Sequence, residues 1–471
     1  MGSGQVTDWQ GKHVTVAGLG VSGVPAAKVL RGLGAEVTVV NDGDDDRARA
    51  QAEELRELGV TVRLGDGATL PEGTGLVVTA PGWQPDKPLF TAARAAGVEI
   101  WGDVELAWRL RGPDAPPWLC VTGTNGKTTT TQMLASILTA AGLRTAAVGN
   151  IGVSLLDAVN GDYDVLAVEL SSYQLHWAPS LRAHSAAVLN LAPDHLDWHG
   201  SMEAYAADKG RVYEGNRVAC VYNVADKATE DLVREADVEE GCRAIGFTLG
   251  TPGPSQLGVV EGILVDRAFV ENRQQNAQEL AEVSDVNPPA PHNIANALAA
   301  AALARAYGVP AKAVRDGLRA FTPDAHRIAH VADVAGVSYV DDSKATNTHA
   351  AQASLAAYES VVWIAGGLAK GAAFDELVAG SAERLRGVVL FGADRALIRE
   401  ALARHAPQVP VVDLDRTDTG AMLQAVREAQ RLATEGDTVL LAPACASMDM
   451  FTNYNQRGDA FAQAVRELAG T

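Results

Sequence analysis

"CVTGTNGKTTT", residues 120–130, closes a short apolar run and opens a helix-like one, and its reading decides the fold. Gly123, Thr124, Asn125, Gly126, Lys127, Thr128 and Thr129 make a glycine-rich turn between a strand and a helix. In that setting backbone N–H groups and the helix N-terminus cradle phosphate oxygens. Lys127 adds a cation and Thr128 a hydroxyl suited to Mg²⁺. The longer phosphate-loop pattern has glycine where Val121 stands, so this turn is a shortened one.

Outward from that turn the chain alternates strands and helices. Residues 13–40 read as strand, turn "GLGVSG", helix and strand, a βαβ unit in which Gly18, Gly20 and Gly23 fit G-x-G-x-x-G, with Val21 and Ser22 inside the turn. Asn41 and Asp42 end the second strand, where a nucleotide-binding unit places its ribose or base contact. Pro81 and Gly82 end a further apolar run, "GLVVTAPG". The proline-rich "RGPDAPPW" at 111–118 interrupts the rhythm and reads as a linker. After it come "DVLAVE", "AAVLNL", a polar stretch around 250–290 expected to hold loops and edge elements, and the Ala-rich helix "NIANALAAAALARAYG". Beyond "TPDAHR" the rhythm restarts with "VSYVDDS", "SVVWIAGG", "GVVLFGAD" and "TVLLAPA". Short, continuously apolar strands separated by helices predict parallel sheets covered on both faces. The expected class is α/β in three domains: a Rossmann-like one over 1–112, a central phosphate-loop ATPase domain over 113–322, and a second Rossmann-like one over 323–471.

Composition narrows the partners. A net charge of -19 over 471 residues argues against nucleic acid, which needs a basic face to replace its counterions. No basic leader followed by an apolar segment opens the chain, and no apolar stretch is long enough to span a bilayer, so a cytoplasmic protein without membrane insertion is expected. Cys120, Cys220, Cys242 and Cys445 are scattered without a C-x-x-C pair and read as thiols, not as a disulfide framework or zinc site.

In open α/β sheets ligands gather beyond the carboxyl ends of strands, and Gly18, Gly123, Glu169, Asp194, Asp342, Gly366 and Ser447 all follow strand-like runs. Glu169 reads either as an ion-pair partner or, near a phosphate loop, as a Mg²⁺ ligand. "NLAPDHLDWHG" offers His195 to a second metal or to phosphate. Lys209, by spacing alone, is a helix-surface lysine. Asn293 and Asn296 share one helical face and suit either adenine or an ordinary N-cap and polar face. "DDSKATN", "GGLAKG" and "PACASMDMFTNYNQRG" together suit a small anionic substrate, although glycine turns and caps explain each singly. Two other classes fit parts of the pattern: a dehydrogenase built on the first glycine turn, and a nucleotide-dependent switch NTPase.

Taken together, "GTNGKTTT", "GNIG", "ELSSYQL", "DHLDWHG", "AADKGRVY" and "HNIANALAA" resemble the Mur ligases, the ATP-dependent amide-forming enzymes of peptidoglycan precursor synthesis, over almost the whole chain. "DDSKATN" with "PACASMDMFTNYNQRG" resembles the D-glutamate-adding branch, with a folylpolyglutamate-type ligase as the nearest enzyme alternative. The resemblance implies ATP, two Mg²⁺ ions, D-glutamate and UDP-N-acetylmuramoyl-L-alanine as the small-molecule partners of a monomer. It implies that Lys127 and Thr128 hold the ATP phosphates and one Mg²⁺, that Glu169 is shared between ions, that His195 serves the second, and that Lys209 is carbamylated. Asn293 and Asn296 would meet adenine, with Arg327, Asp342 and Lys344 reaching towards ATP and substrate. Lys344, Thr346, Lys370, Ser447 and Tyr454 would cradle D-glutamate, and Asn150 would face the muramoyl group. Two departures stand out: Leu368 and Ala369 occupy the place of an acid before Lys370, and Asn41-Asp42-Gly43 replaces the acid-Thr-Arg of some relatives.

Overall fold

The glycine turn at Gly18 sits at the carboxyl edge of the first sheet. Its five strands are all parallel, in the order Thr61–Leu64, Glu36–Asn41, His13–Ala17, Leu76–Thr79 and Glu99–Gly102. The βαβ handover is compact because Gly23 abuts the turn: a Cβ there would lie 1.9 Å from the Gly18 carbonyl oxygen. The computed structural model describes residues 8–416 and 418–470.

The second sheet carries the opening motif at its centre. Seven strands run parallel in the order Ala147–Gly149, Leu166–Glu169, Trp118–Thr122, Ser185–Val188, Ala219–Asn223, Arg243–Phe247 and Gln256–Val260. The polar stretch expected to hold edge elements adds Ile263–Asp266 and Gln278–Glu282 as an antiparallel meander beyond Gln256–Val260. Trp118 to Val121 are fully buried, as a central strand covered on both faces requires. Helix Lys127–Ala140 covers one face and the Ala-rich helix Pro291–Ala306 joins the same apolar cluster. A further helix, Ala311–Ala320, which the sequence reading did not pick out, follows it; it lays Ala313, Val314, Gly317 and Leu318 inward.

The third sheet has the order Ala329–Val334, Val337–Asp341, Thr438–Leu441, Val361–Gly366, Leu385–Phe391 and Val411–Asp413, parallel except for the first pair. Each of its faces has its own apolar cluster, one around Trp363 and Leu390, the other around Tyr339 and Phe461. The chain gathers into two compact units: the described residues up to Val286 with Ile294–Phe321, and Asn287–Asn293 with the described residues from Thr322 on. The first two sheets therefore belong to one unit. Within it Phe90 packs on Trp177 with ring centroids 5.1 Å apart, and buried Glu105 accepts from the Ser180 N–H at 3.0 Å and from Arg109 Nε at 2.7 Å. Among the described residues no helix is long and apolar enough to cross a membrane. Cys120, Cys220 and Cys445 are buried free thiols, and Cys242 is half-buried.

Candidate active site

The phosphate turn leaves its strand at Thr122 and enters its helix at Lys127. Gly126 stands at φ +83, and a Cβ there would lie 2.4 Å from Asn296 Oδ1, so the turn needs glycine both for its backbone and for the side chain against it. The neighbouring strand end braces the turn. Asn190 accepts from the Asn125 N–H at 2.8 Å and donates to the Asn125 carbonyl at 3.0 Å, while Thr124 donates to the Ala192 carbonyl at 3.2 Å. These hydrogen bonds fix the backbone of the turn.

Two lysines converge on it. Lys127 Nζ donates to the Gly123 and Thr124 carbonyls, both at 2.9 Å, and Lys209 Nζ donates to Gly123 O, also at 2.9 Å. Lys209 is 1% exposed, which corrects its reading as a surface residue. Burial, reinforced by the Lys127 cation, pushes its ammonium well below the usual lysine range against the pull of Asp194, Glu169 and Asp208. Burial thus favours the neutral amine over the ammonium at Lys209. Tyr205, one helical turn before it, lies under Nζ at 4.7 Å and pairs with Thr124 Oγ1 at 2.9 Å.

Glu169 ends its strand 1% exposed, taking Asn150 Nδ2 on Oε1 at 2.8 Å. Its Oε2 is buried and has no hydrogen-bond partner among the described residues. A partnerless buried carboxylate oxygen is costly in isolation and suits a cation. His195, held at φ 54 before the helix Leu196–His199, has its pKa lowered, first by burial, so a neutral ring nitrogen is available for a ligand. Among the described residues no three His, Cys, Asp or Glu side chains cluster as a metal cage. The buried Glu169 carboxylate instead suits Mg²⁺, which is usually held by one or two carboxylates together with substrate phosphates.

In the first sheet, Asn41 Oδ1 accepts from the Leu19 N–H at 3.1 Å and so shapes the glycine turn. Ser22 donates to half-buried Asp103 at 2.9 Å, and Val21 leaves its apolar side chain 85% exposed. Asp42 pairs with Lys87, whose Nζ also lies 4.8 Å from the centre of the Trp83 ring. Asp42, Gly82, Trp83, Gln84 and Lys87 line a cleft of about 490 Å³ whose other wall is Tyr173, Asp197 and Trp198 from the second sheet's loops. Trp198 Nε1 donates to the Gly82 carbonyl at 3.3 Å across it.

In the second unit, Lys344 Nζ lies over the Tyr454 ring at 4.0 Å, which brings together two of the residues expected at the amino-acid site. Arg457, fully buried, donates to Ser343 O at 2.8 Å and to Cys445 O at 3.0 Å, pinning "DDSK" to "PACAS". Leu368 exchanges backbone hydrogen bonds with Ala446, both at 2.9 Å, so the loop carrying exposed Lys370 adjoins the Ser447 turn. Asp342 accepts from the Ile328 N–H at 3.3 Å and from Ser354, beside Arg327. Asn293 donates to the Pro288 carbonyl at 3.2 Å.

The family model described as the Mur ligase middle domain matches residues 121–304, and the one described as the Mur ligase, glutamate ligase domain matches 326–445. The chain belongs to the Mur ligase family. A relative from Streptomyces coelicolor named UDP-N-acetylmuramoylalanine--D-glutamate ligase is 87% identical over 98% of this chain and 99% of its own. One of the same name from Thermobifida fusca is 61% identical over 98% of this chain and 99% of its own. The solved UDP-N-acetylmuramate-alanine ligase of Thermotoga maritima covers 98% of this chain and 100% of its own at TM-score 0.56 and 17% identity, a likeness of fold. The pyridine nucleotide-disulphide oxidoreductase model matches only residues 13–79, the βαβ stretch with the glycine turn.

Several residues around this Mur ligase site were not singled out in the sequence. Tyr205 stands four residues before Lys209, a spacing that puts both on one helical face and was there to be read. Asn190, Arg457 and the pairing of Lys87 with Asp42 act across long sequence separations and carry no local signal, whereas Trp83 stands only four residues before Lys87.

Proposed function

We propose that this chain joins D-glutamate to UDP-N-acetylmuramoyl-L-alanine at the expense of ATP, in the cytoplasmic stage of peptidoglycan precursor synthesis. What carries the reading is the braced phosphate turn with two lysines on Gly123 and a partnerless Glu169 oxygen, in a chain that matches a ligase of that name from end to end. That match favours D-glutamate ligation over the folylpolyglutamate alternative. The second phosphate turn, at Lys127, disfavours a dehydrogenase, which would leave it unused.

The substrate carboxylate oxygen attacks the ATP γ-phosphorus, the bond to the β-phosphate oxygen breaks, and ADP leaves. Two anions must meet for this, so positioning and charge neutralisation do most of the work. Lys127 and the turn's N–H groups serve the phosphates, and Asn293 and Asn296 serve adenine. Mg²⁺, when bound at Thr128, Glu169, His195 and carbamylated Lys209, supplies further neutralisation of the phosphate charge. Lys209 gains its carbamate when its neutral amine adds to CO₂ and loses a proton, which leaves an anion where the amine stood. The nucleotide-sugar lies along Gly18, Gly20, Val21, Ser22, Asn41, Asp42, Pro81 and Gly82, with Asn150 towards the muramoyl end. Lys344, Thr346, Lys370, Ser447 and Tyr454 hold D-glutamate, while Arg327 and Asp342, side by side, reach towards ATP and substrate. The D-glutamate amine attacks the acyl phosphate carbon through a tetrahedral intermediate, phosphate departs, and the nitrogen loses its proton.

The test is phosphate release from ATP with UDP-N-acetylmuramoyl-L-alanine present. Release that requires D-glutamate, and not L-glutamate or meso-diaminopimelate, is the expected result. Release without any amino acid would return the chain to the switch-NTPase class.

A further inference from the structure

We propose that Asp208 is a positioning residue: one carboxylate beside Lys209 ties together the three segments that carry Glu169, His195 and Lys209. Asp208 is 5% exposed, and its oxygens lie 2.9 and 3.0 Å from His176 Nδ1, 3.0 Å from His199 Nδ1 and 3.2 Å from Arg211 Nε. An ionised carboxylate only accepts, so both rings carry a proton on Nδ1. His199 Nε2 is then left to accept from Ser172 Oγ at 3.0 Å.

The connectivity gives the cluster its meaning. Ser172 and His176 are the first and last residues of the short helix Ser172–His176 that follows Glu169. Asp208 holds that helix at one end directly and at the other through His199. His199 is itself the last residue of the helix Leu196–His199, which begins next to His195. Tyr173 fills the space between, stacked on His199 at 5.5 Å and 2° and tilted against His195 at 4.9 Å. A shift of Asp208 would therefore be passed to all three groups assigned to the cation site. Outer partners that orient ligands in this way typically cost about 10–100-fold in metal affinity or activity when removed.

The inference rests on the ATP and Mg²⁺ reading above, so its test uses a readout that needs no turnover. Mn²⁺ binding in the presence of a non-hydrolysable ATP analogue is followed by electron paramagnetic resonance for wild type, Asp208→Ala, His199→Ala and the double variant, with thermal unfolding as the check on folding. Expected are Mn²⁺ dissociation constants raised about 10–100-fold in each single variant. The double should be no weaker than the worse single, because both act through one linkage. Turnover should fall with them while the KM for the nucleotide-sugar stays within about threefold. Should Asp208→Ala not fold, Asp208→Asn keeps the volume and loses one acceptor oxygen, and a smaller weakening of Mn²⁺ is expected. Wild-type Mn²⁺ affinity in a folded variant, or losses that simply add in the double, would overturn the inference. Phosphate release that ignores D-glutamate would instead overturn the functional reading, leaving the Mn²⁺ titration to decide Asp208.

Discussion

Lys127 and Lys209 share one carbonyl yet are expected to respond differently to removal. Lys127→Ala should lower turnover by about 10²–10³-fold, the usual cost of losing one preorganised charge at a developing anion, with little change in the unfolding midpoint. Steady-state phosphate release checks it, and full activity would end the phosphate assignment. Lys209→Ala should be nearly inactive and regain part of its rate with a short carboxylic acid that replaces the carbamate; no rescue beside wild-type rates would end that assignment. Asp342 offers a pH test. Burial pushes its carboxyl up to about 6 from 3.8, against the donors Ser354 and Ile328 and the Arg327 charge. The fold thus binds a proton more tightly than the unfolded chain, so stability falls as pH rises from about 4 through 6 and the deficit persists above. Asp342→Asn should remove the pH-dependent part, gaining on the order of 3 kcal/mol between those limits in paired denaturant titrations. A pH-independent difference between the two proteins would refute it. Lys127 and Asp342 were legible because each follows a strand end; Lys209, inside a helix, was raised only by the family resemblance, and Asp208 and Arg457 were not singled out. Their partners, His176 and Ser343, are brought to them only by the finished fold.

Among the elements, the parallel strands were read well because each is a short apolar run between glycine turns. The helix Ala311–Ala320 was passed over, although Ala313, Val314, Gly317 and Leu318 fall on one face. A glycine inside a polar ten-residue stretch lowers helix propensity, and the reason for it is tertiary. A Cβ on Gly317 would lie 2.4 Å from the Ile137 Cα, on the helix behind the phosphate turn, and the Gly317 carbonyl accepts from Ser136 Oγ at 2.7 Å. Gly317→Ala should therefore destabilise the first unit by about 1–3 kcal/mol through overpacking, despite Ala being the better helix former. Urea unfolding followed by circular dichroism measures this, and a more stable variant would mean that the two helices separate freely. The edge strands from Gln256 to Glu282 escaped detailed assignment for another reason. Each of these strands buries only two or three adjacent positions, too short a run for a period to stand out.

For the whole molecule, the division of labour follows from where the cores lie. The cleft between the first two sheets, with Asp42, Trp83 and Lys87 on one wall and Tyr173 and Trp198 on the other, belongs entirely to the first unit. The residues assigned to D-glutamate belong entirely to the second. Each unit has its own apolar clusters, so each can unfold as a cooperative body. A ligand that binds only the folded form stabilises the body holding its site, by about 2.7 kcal/mol at a hundredfold excess over Kd. Calorimetry should accordingly show two transitions, one raised by the nucleotide-sugar and the other by D-glutamate. Lys87 is the cation lining the cleft beside the Trp83 ring, placed for an anionic diphosphate. Lys87→Ala should cut the first rise by about half or more, increase the KM for the nucleotide-sugar at least about tenfold, and leave the D-glutamate rise and the KM for ATP unchanged. One transition that moves equally with either ligand would mean that the site does not divide along the two cores, and an unaltered first rise in Lys87→Ala would remove that lysine from it.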